Sequence, residues 1–174
     1  SAAPGVALAR QAPTGTNRSH RIHQMPDAWT QNYYHLFFST SRQRPMISPE
    51  IEPSLHQRLR EIASELACRA LAVGGTPDHI HIVLQYPPDL AHATLVRELK
   101  DRSSQWVRAT FSNLADFAWQ NGYGGFTLGR SALDATIESV KRQKDLHARV
   151  SFEDEFLAML VRHGMHASRE DALA

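Results

Sequence analysis

The chain has 174 residues, of which 42% are hydrophobic, and a formal net charge of +1. That suffices for one domain with a real core and is too short to expect two. A nearly neutral balance gives no general warrant for a nucleic-acid partner, so any such argument must come from local arrangement. No apolar run approaches the roughly 18 residues of a membrane span, and the N-terminus lacks the charged start and hydrophobic stretch of a signal peptide, so cytoplasmic residence is the expectation. The single cysteine, Cys68, rules out an internal disulfide framework and reads as a small buried hydrophobe.

Residues 1–27 mix Ala, Pro, Gly, Thr and Arg without hydrophobic periodicity, the pattern of a flexible arm, with Arg10, Arg18, His20, Arg21 and His23 as its cations. The folded unit is expected over residues 28–165, followed by a short tail, 166–174. From Trp29 to Thr40 aromatic and strand-favouring residues predict the first strand. Ser48 before Pro49 predicts a helix start, and Leu55, Leu59, Ile62 and Leu66 recur every three or four residues through about Ala67. RALAVGG and DHIHIVLQY predict two strands, the latter stopped by Pro87 and Pro88. A helix should fill Leu90 to about Phe111. DFAWQ and GFTLG, split by Asn121 and Gly122, read as two further strands. A helix capped by Ser131 should run to about His147, and Ser151, with Glu155 nearby, opens a last one that ends at Gly164.

Strand, helix, two strands, helix, two strands and two helices predict an α+β sandwich, with helices on a mainly antiparallel sheet in the manner of split βαβ folds.

Side chains at i and i+2 of a strand share a face, so His79 and His81 project together while Ile80, Ile82 and Leu84 line the other side. Two adjacent imidazoles are half a metal site, although in a chain with ten histidines such a pair also arises without function. Asp78 is placed either to orient one ring or to cap the turn after Pro77. Ser139, Gln143 and His147 recur every four residues and would lie on one helical stripe. Gln143 is either a third, oxygen ligand or an exposed amide. An oxygen with two imidazoles suits a divalent ion with open positions. Arg97, Lys100, Arg102 and Arg108, and Lys141, Arg142, Lys144 and Arg149, offer phosphate contacts but are interleaved with acids, as on an ordinary solvated face.

The ordered segments YYHLFFST, PDHIHIVLQYPP, LVRELKDRSSQW, FAWQNGYGGFTLGRS, the helix carrying Gln143, and SFEDEF together resemble one family. It is that of the small single-tyrosine HUH transposases of bacterial insertion sequences and their relatives associated with repetitive extragenic palindromes. The resemblance covers roughly residues 29–164. It implies a ferredoxin-like, antiparallel α+β domain that forms a homodimer, binds single-stranded or hairpin DNA, and cuts and rejoins strands through a phosphotyrosine. It further implies that His79, His81 and Gln143 hold a divalent metal, Mg²⁺ or Mn²⁺, and Arg97, Lys100, Arg102, Lys141 and Arg142 are the cations expected to contact DNA. The family's nucleophilic tyrosine falls on Ser139, and the first of two paired histidines after the glutamine falls on Leu146, leaving His147.

A phenol near pKa 10 on a long arm can attack a phosphate and leave again, whereas a serine hydroxyl is far less acidic and shorter. The expectation is therefore a DNA-binding protein degenerate in strand cleavage. The alternatives are a metal-dependent DNA nickase or transposase that uses water or another tyrosine, with Tyr123 the candidate substitute, and a non-catalytic ferredoxin-like interaction dimer.

Overall fold

The computed structural model describes residues 29–147, 150–166 and 168. The proposed arm and its five cations lie outside the described residues, as does most of the tail. Four strands, β1 (Asn32–Ser39), β2 (Arg69–Thr76), β3 (His79–Tyr86) and β4 (Gly124–Leu128), form one sheet in the order β2-β3-β1-β4. Every neighbouring pair is antiparallel. One helix, α1 (Glu52–Glu65), links β1 to β2, and a second, α2 (His92–Thr110), links β3 to β4. This is the ferredoxin-like α+β arrangement that the order of elements predicted.

Alternation in the two central strands divides the molecule. Tyr34, Leu36 and Phe38 of β1 and Ile80, Ile82 and Leu84 of β3 point to one face, where Leu55, Leu59 and Ile62 of α1 and Leu95, Leu99 and Val107 of α2 close over them. Tyr33 and Val83 point to the other face and meet Leu133 and Val140 of α3 (Arg130–Lys141). Phe37 and Phe126 meet Phe152 and Phe156 of α5 (Phe152–Arg162) there. Helices thus cover both sides of the sheet.

The expected α1 start moves by one turn. Ser48 accepts from the N–H groups of Ile51 and Glu52 at 3.0 Å each, so it closes a turn from which the helix proper begins at Glu52. Ala67, with φ of 57°, then ends it. The α5 start is as expected: the Ser151 hydroxyl accepts from the Asp154 N–H.

DFAWQ is not a strand. Its single ladder contact is a bridge between Thr40 and Trp119, because the chain after β1 turns at once into a short 3-10 turn with left-handed Arg42 and Gln43 and offers no extended partner. Nor do Asn121 and Gly122 form a hairpin turn. Neither has the positive φ such a turn requires, and the Lys100 ammonium donates to both of their carbonyls at 3.0 Å, tying the loop to α2. The segment still anchors the fold: Phe117 and Trp119 enter the larger core, and the indole N–H donates to the buried Ser103 hydroxyl at 2.9 Å.

His56, on the buried side of α1, has an Nε2 without a hydrogen-bond partner. Burial pushes its pKa from 6.5 down to about 4, with Glu52 opposing and Arg60 and Lys144 reinforcing the shift. On acidification the unfolded chain takes up this proton first, so stability is complete above the unfolded value and falls as pH drops from 6.5 toward about 4. We expect His56→Leu to remove about 2 kcal/mol of the stability lost between about pH 7.5 and about pH 5. Denaturant titrations of both proteins at the two pH values check this, and equal losses would refute it.

Candidate metal centre

On β3, His79 and His81 share the face turned toward α3 and α5, and both are fully buried. Each ring is fixed by its outer nitrogen. His79 Nδ1 lies 2.7 Å from Asp78 Oδ1 and 2.8 Å from Thr76 Oγ1, and that hydroxyl in turn donates to Asp78 at 2.5 Å. His81 Nδ1 lies 3.0 Å from Nε2 of His35, a residue of β1 that points to the same face. The Asp78 carboxylate makes His79 Nδ1 the donor and leaves its Nε2 a lone pair for the space between the rings; His81 does the same in the tautomer in which its Nδ1 donates to His35.

The expected helix over 131–147 is broken. It splits at Arg142, with φ −103° and ψ 20°, into α3 and a short α4 (Gln143–His147). Ser139 and Gln143 therefore do not share a stripe: Ser139 is exposed on α3, whereas the bend turns Gln143 inward to full burial. Gln143 Oε1 lies 3.5 Å from His79 Nε2, so the strand pair and the late amide do converge.

Two more donors complete the cluster. Glu155 projects from α5 with its side chain only 12% exposed. One of its oxygens, Oε2, accepts from His147 Nε2 at 2.8 Å, and the other accepts from the Gln143 amide at 3.1 Å. One donor atom from each of His79, His81, His147 and Glu155 falls within 4.8 Å of all the others. Sequence reasoning missed Glu155 as a site residue, missed His35, and treated His147 only as a remnant of a pair. A signal for Glu155 was present: it follows Phe152 by three residues and precedes Phe156, so it lies on the helix face those two rings bury.

The electrostatics are those of a buried anion ringed by imidazoles. Burial pushes the Glu155 carboxyl up, but the hydrogen bond from His147, the close approach of His81 and the hydrogen bond from Gln143 outweigh it and hold the group far below the usual carboxylate range. Burial pushes His81 down against the pull of Glu155. Burial also lowers His147, yet Glu155 more than compensates and leaves it raised. His35 is driven by burial, and then by His81, down to about 3, so it stays neutral.

One contact tests whether a cation fits. His81 Nε2 lies 3.3 Å from Glu155 Oε2 but without hydrogen-bond geometry, and it has no other partner. An imidazole lone pair facing a carboxylate oxygen is unfavourable unless a positive charge lies between them. Adjacent ligands of a tetrahedral ion with bonds of 2.0–2.1 Å sit about 3.3 Å apart. The donor set therefore fits a divalent metal.

The remaining candidates lie elsewhere. Tyr123 is exposed in a groove of about 420 Å³ beside Arg97 and Lys100 of α2, across the sheet from the histidines. Tyr34 is in the α1/α2 core, and Tyr86 packs against it edge-on at 5.9 Å. Tyr33 alone of the four tyrosines shares the histidine face, but Phe37 is the residue opposite His81, and Tyr33 lies four residues, about 13 Å, back along β1. No tyrosine borders the cluster. The cations are divided as well: Arg97, Lys100 and Arg102 are on α2, while Lys141 and Arg142 end α3 on the opposite face. Arg102 pairs with Glu65, Arg97 with Glu98 at 3.5 Å, Lys141 with Glu138 at 2.8 Å and Arg142 with Asp145 at 3.6 Å.

Comparison with known proteins agrees with this architecture. A curated relative, the ISDra2 transposase TnpA of Deinococcus radiodurans, is 26% identical over 86 residues, which are 49% of this chain and 61% of that protein. The chain thus aligns with less than two thirds of that relative. Among solved structures, one from Deinococcus radiodurans assigned as a transposase superposes with a TM-score of 0.58 at 21% identity, covering 69% of this chain and 96% of the other. A REP-associated tyrosine transposase bound to a REP hairpin superposes with a TM-score of 0.54 at 13% identity, covering 83% and 88%. At these identities both show the shared fold. The profile of the IS200-like transposases matches residues 28–143, well over half of the sequence and inclusive of both strand histidines and the glutamine, and the chain belongs to that family.

Proposed function

We propose that this transposase-family chain binds single-stranded or hairpin DNA as a homodimer, holds Mg²⁺ or Mn²⁺ through His79, His81 and Gln143, and lacks covalent strand transfer. Residues 28–165 are the working unit in this reading, flanked by the arm and tail. A bound divalent ion would polarise a phosphoryl oxygen and stabilise charge in a phosphate displacement. The chain's own part is to present two oriented imidazoles and an amide on one face, with phosphate contacts from Arg97, Lys100, Arg102, Lys141 and Arg142. The observation that carries the reading is that a metal-type donor cluster stands with no tyrosine beside it and with Ser139 turned outward.

The test is incubation with end-labelled hairpin DNA and Mn²⁺, scored for retarded, cut and protein-linked species. We expect a retarded complex that weakens steeply with salt and no protein-linked product. A linked product lost on changing one tyrosine to phenylalanine would refute the reading, and no retardation at all would favour the interaction dimer.

The His147–Glu155 pair supports a second reading, a hydrolytic nickase in which His147 takes the proton from an attacking water. Cut DNA without a protein link, abolished by His79→Ala with His81→Ala, is its signature.

A further inference from the structure

We propose that Glu155 and His147 are ligands of the ion as well, so that this chain closes its metal centre with a three-imidazole, one-carboxylate cage selective for Zn²⁺, Co²⁺ or Mn²⁺ over Mg²⁺. The inference rests on the reading that His79 and His81 bind metal, and it changes what that centre is. Two imidazoles and a neutral amide make a weak, open site. Adding an anionic oxygen and the nitrogen of His147, which releases the proton it shares with Glu155 to solvent as the ion binds, gives four strong donors, the number that transition dications take in nitrogen-rich sites. Mg²⁺ prefers oxygen ligands in octahedral geometry and keeps its waters, so a buried, imidazole-rich pocket suits it poorly.

Three observations converge on this. The four donor atoms come from three separate elements, β3, α4 and α5, yet lie within 4.8 Å of one another, inside the protein rather than on its surface. The imidazole nitrogen of His81 and a Glu155 oxygen face each other at 3.3 Å without the geometry of a hydrogen bond, the relation of two ligands of one ion. The Gln143 N–H₂ end donates to the second Glu155 oxygen at 3.1 Å, which leaves Oε2 directed at the histidines. Gln143 thereby serves Glu155 as much as it serves the ion. His147 and Glu155 both fall after residue 143, where the match to the family profile ends.

The experiment uses the full chain, freed of metal by chelation and titrated with Co²⁺, Zn²⁺ and Mg²⁺ by calorimetry. The visible d–d spectrum of the Co²⁺ form is recorded in parallel. We expect intense, four-coordinate Co²⁺ bands and no displacement of Co²⁺ by millimolar Mg²⁺. Glu155→Gln, which keeps the side chain's shape and removes its charge, should weaken Co²⁺ binding about 100-fold and bleach the bands, and His147→Gln should do likewise. Gln143→Ala should cost only about tenfold. Circular dichroism confirms that each variant is folded, and Glu155→Asp supplies a variant that keeps the charge. If His79→Ala with His81→Ala abolishes binding while Glu155→Gln and His147→Gln leave affinity and spectrum unchanged, the cage is wrong and the strand-pair site stands. If the double histidine variant binds Co²⁺ as the wild type does, both readings fall.

Discussion

Gly74→Ala will destabilise the protein by about 3 kcal/mol and will loosen α3 from the sheet. A methyl group built on Gly74 overlaps the carbonyl oxygen of Val140, a backbone atom in the last turn of α3, with the Val140 side chain close behind. A flexible side chain could swing away from such a clash, but a helix backbone yields only if the whole helix shifts. That shift would break the small core of Tyr33, Ala72, Val83, Leu133 and Val140, and it would carry Gln143, three residues beyond Val140, away from the histidines. Guanidinium denaturation gives the first effect. Gly129→Ser, whose added Cβ makes only an ordinary contact with the Ser131 hydroxyl at the N-cap of α3, is the matched control and should change stability by less than about 0.5 kcal/mol. Equal midpoints for the two variants would show that α3 is not held at Gly74.

The second large effect belongs to Phe37→Ala, with an expected loss of about 3–5 kcal/mol. Phe37 is fully buried at the point where the sheet, the histidine cluster and α5 meet. Its ring stacks on His81 with centroids 5.1 Å apart, meets Phe156 edge-on at 5.2 Å, and presses against the α-carbon of Gly124, where a side chain would collide with it. Removing the ring takes away the surface that holds both the His81 imidazole and the helix that carries Glu155. Stability and Co²⁺ affinity should therefore fall together, whereas Phe38→Ala, on the opposite face against Trp119, should cost similar stability and leave metal affinity nearly intact. Loss of metal affinity in both variants alike would argue that the centre depends on global stability and not on this contact.

The two central strands and the two large helices could be read from the sequence because each carries its own period. Alternation in NYYHLFFS and HIHIVLQY sorts their residues onto two faces, and the leucine spacing of the helix after Ser48 marks its buried side. The same alternation put His79 and His81 together before any coordinates. Elements whose state depends on distant partners were harder to read. DFAWQ has a strand's composition, but pairing needs an extended neighbour, and β1 has already turned away; the loop after it is fixed by Lys100, twenty-one residues earlier than Asn121. The bend at Arg142 lies where α3 and α4 both pack against β2, a contact that no local propensity records. Glu155 looked like an ordinary first-turn acid of α5 because helices favour acids there, and its second role appears only once that helix lies across the histidines.

The bend at Arg142 also sets what a tyrosine placed at position 139 could reach. Were the chain one uninterrupted spiral from Arg130 to His147, a single codon change at Ser139 would put a phenol above Gln143 and beside the histidines. With the spiral interrupted, a phenol at that position begins its reach from the solvent side. Bringing that phenol to the histidines would then demand that the hinge rewind as well, two coordinated steps where one would otherwise do.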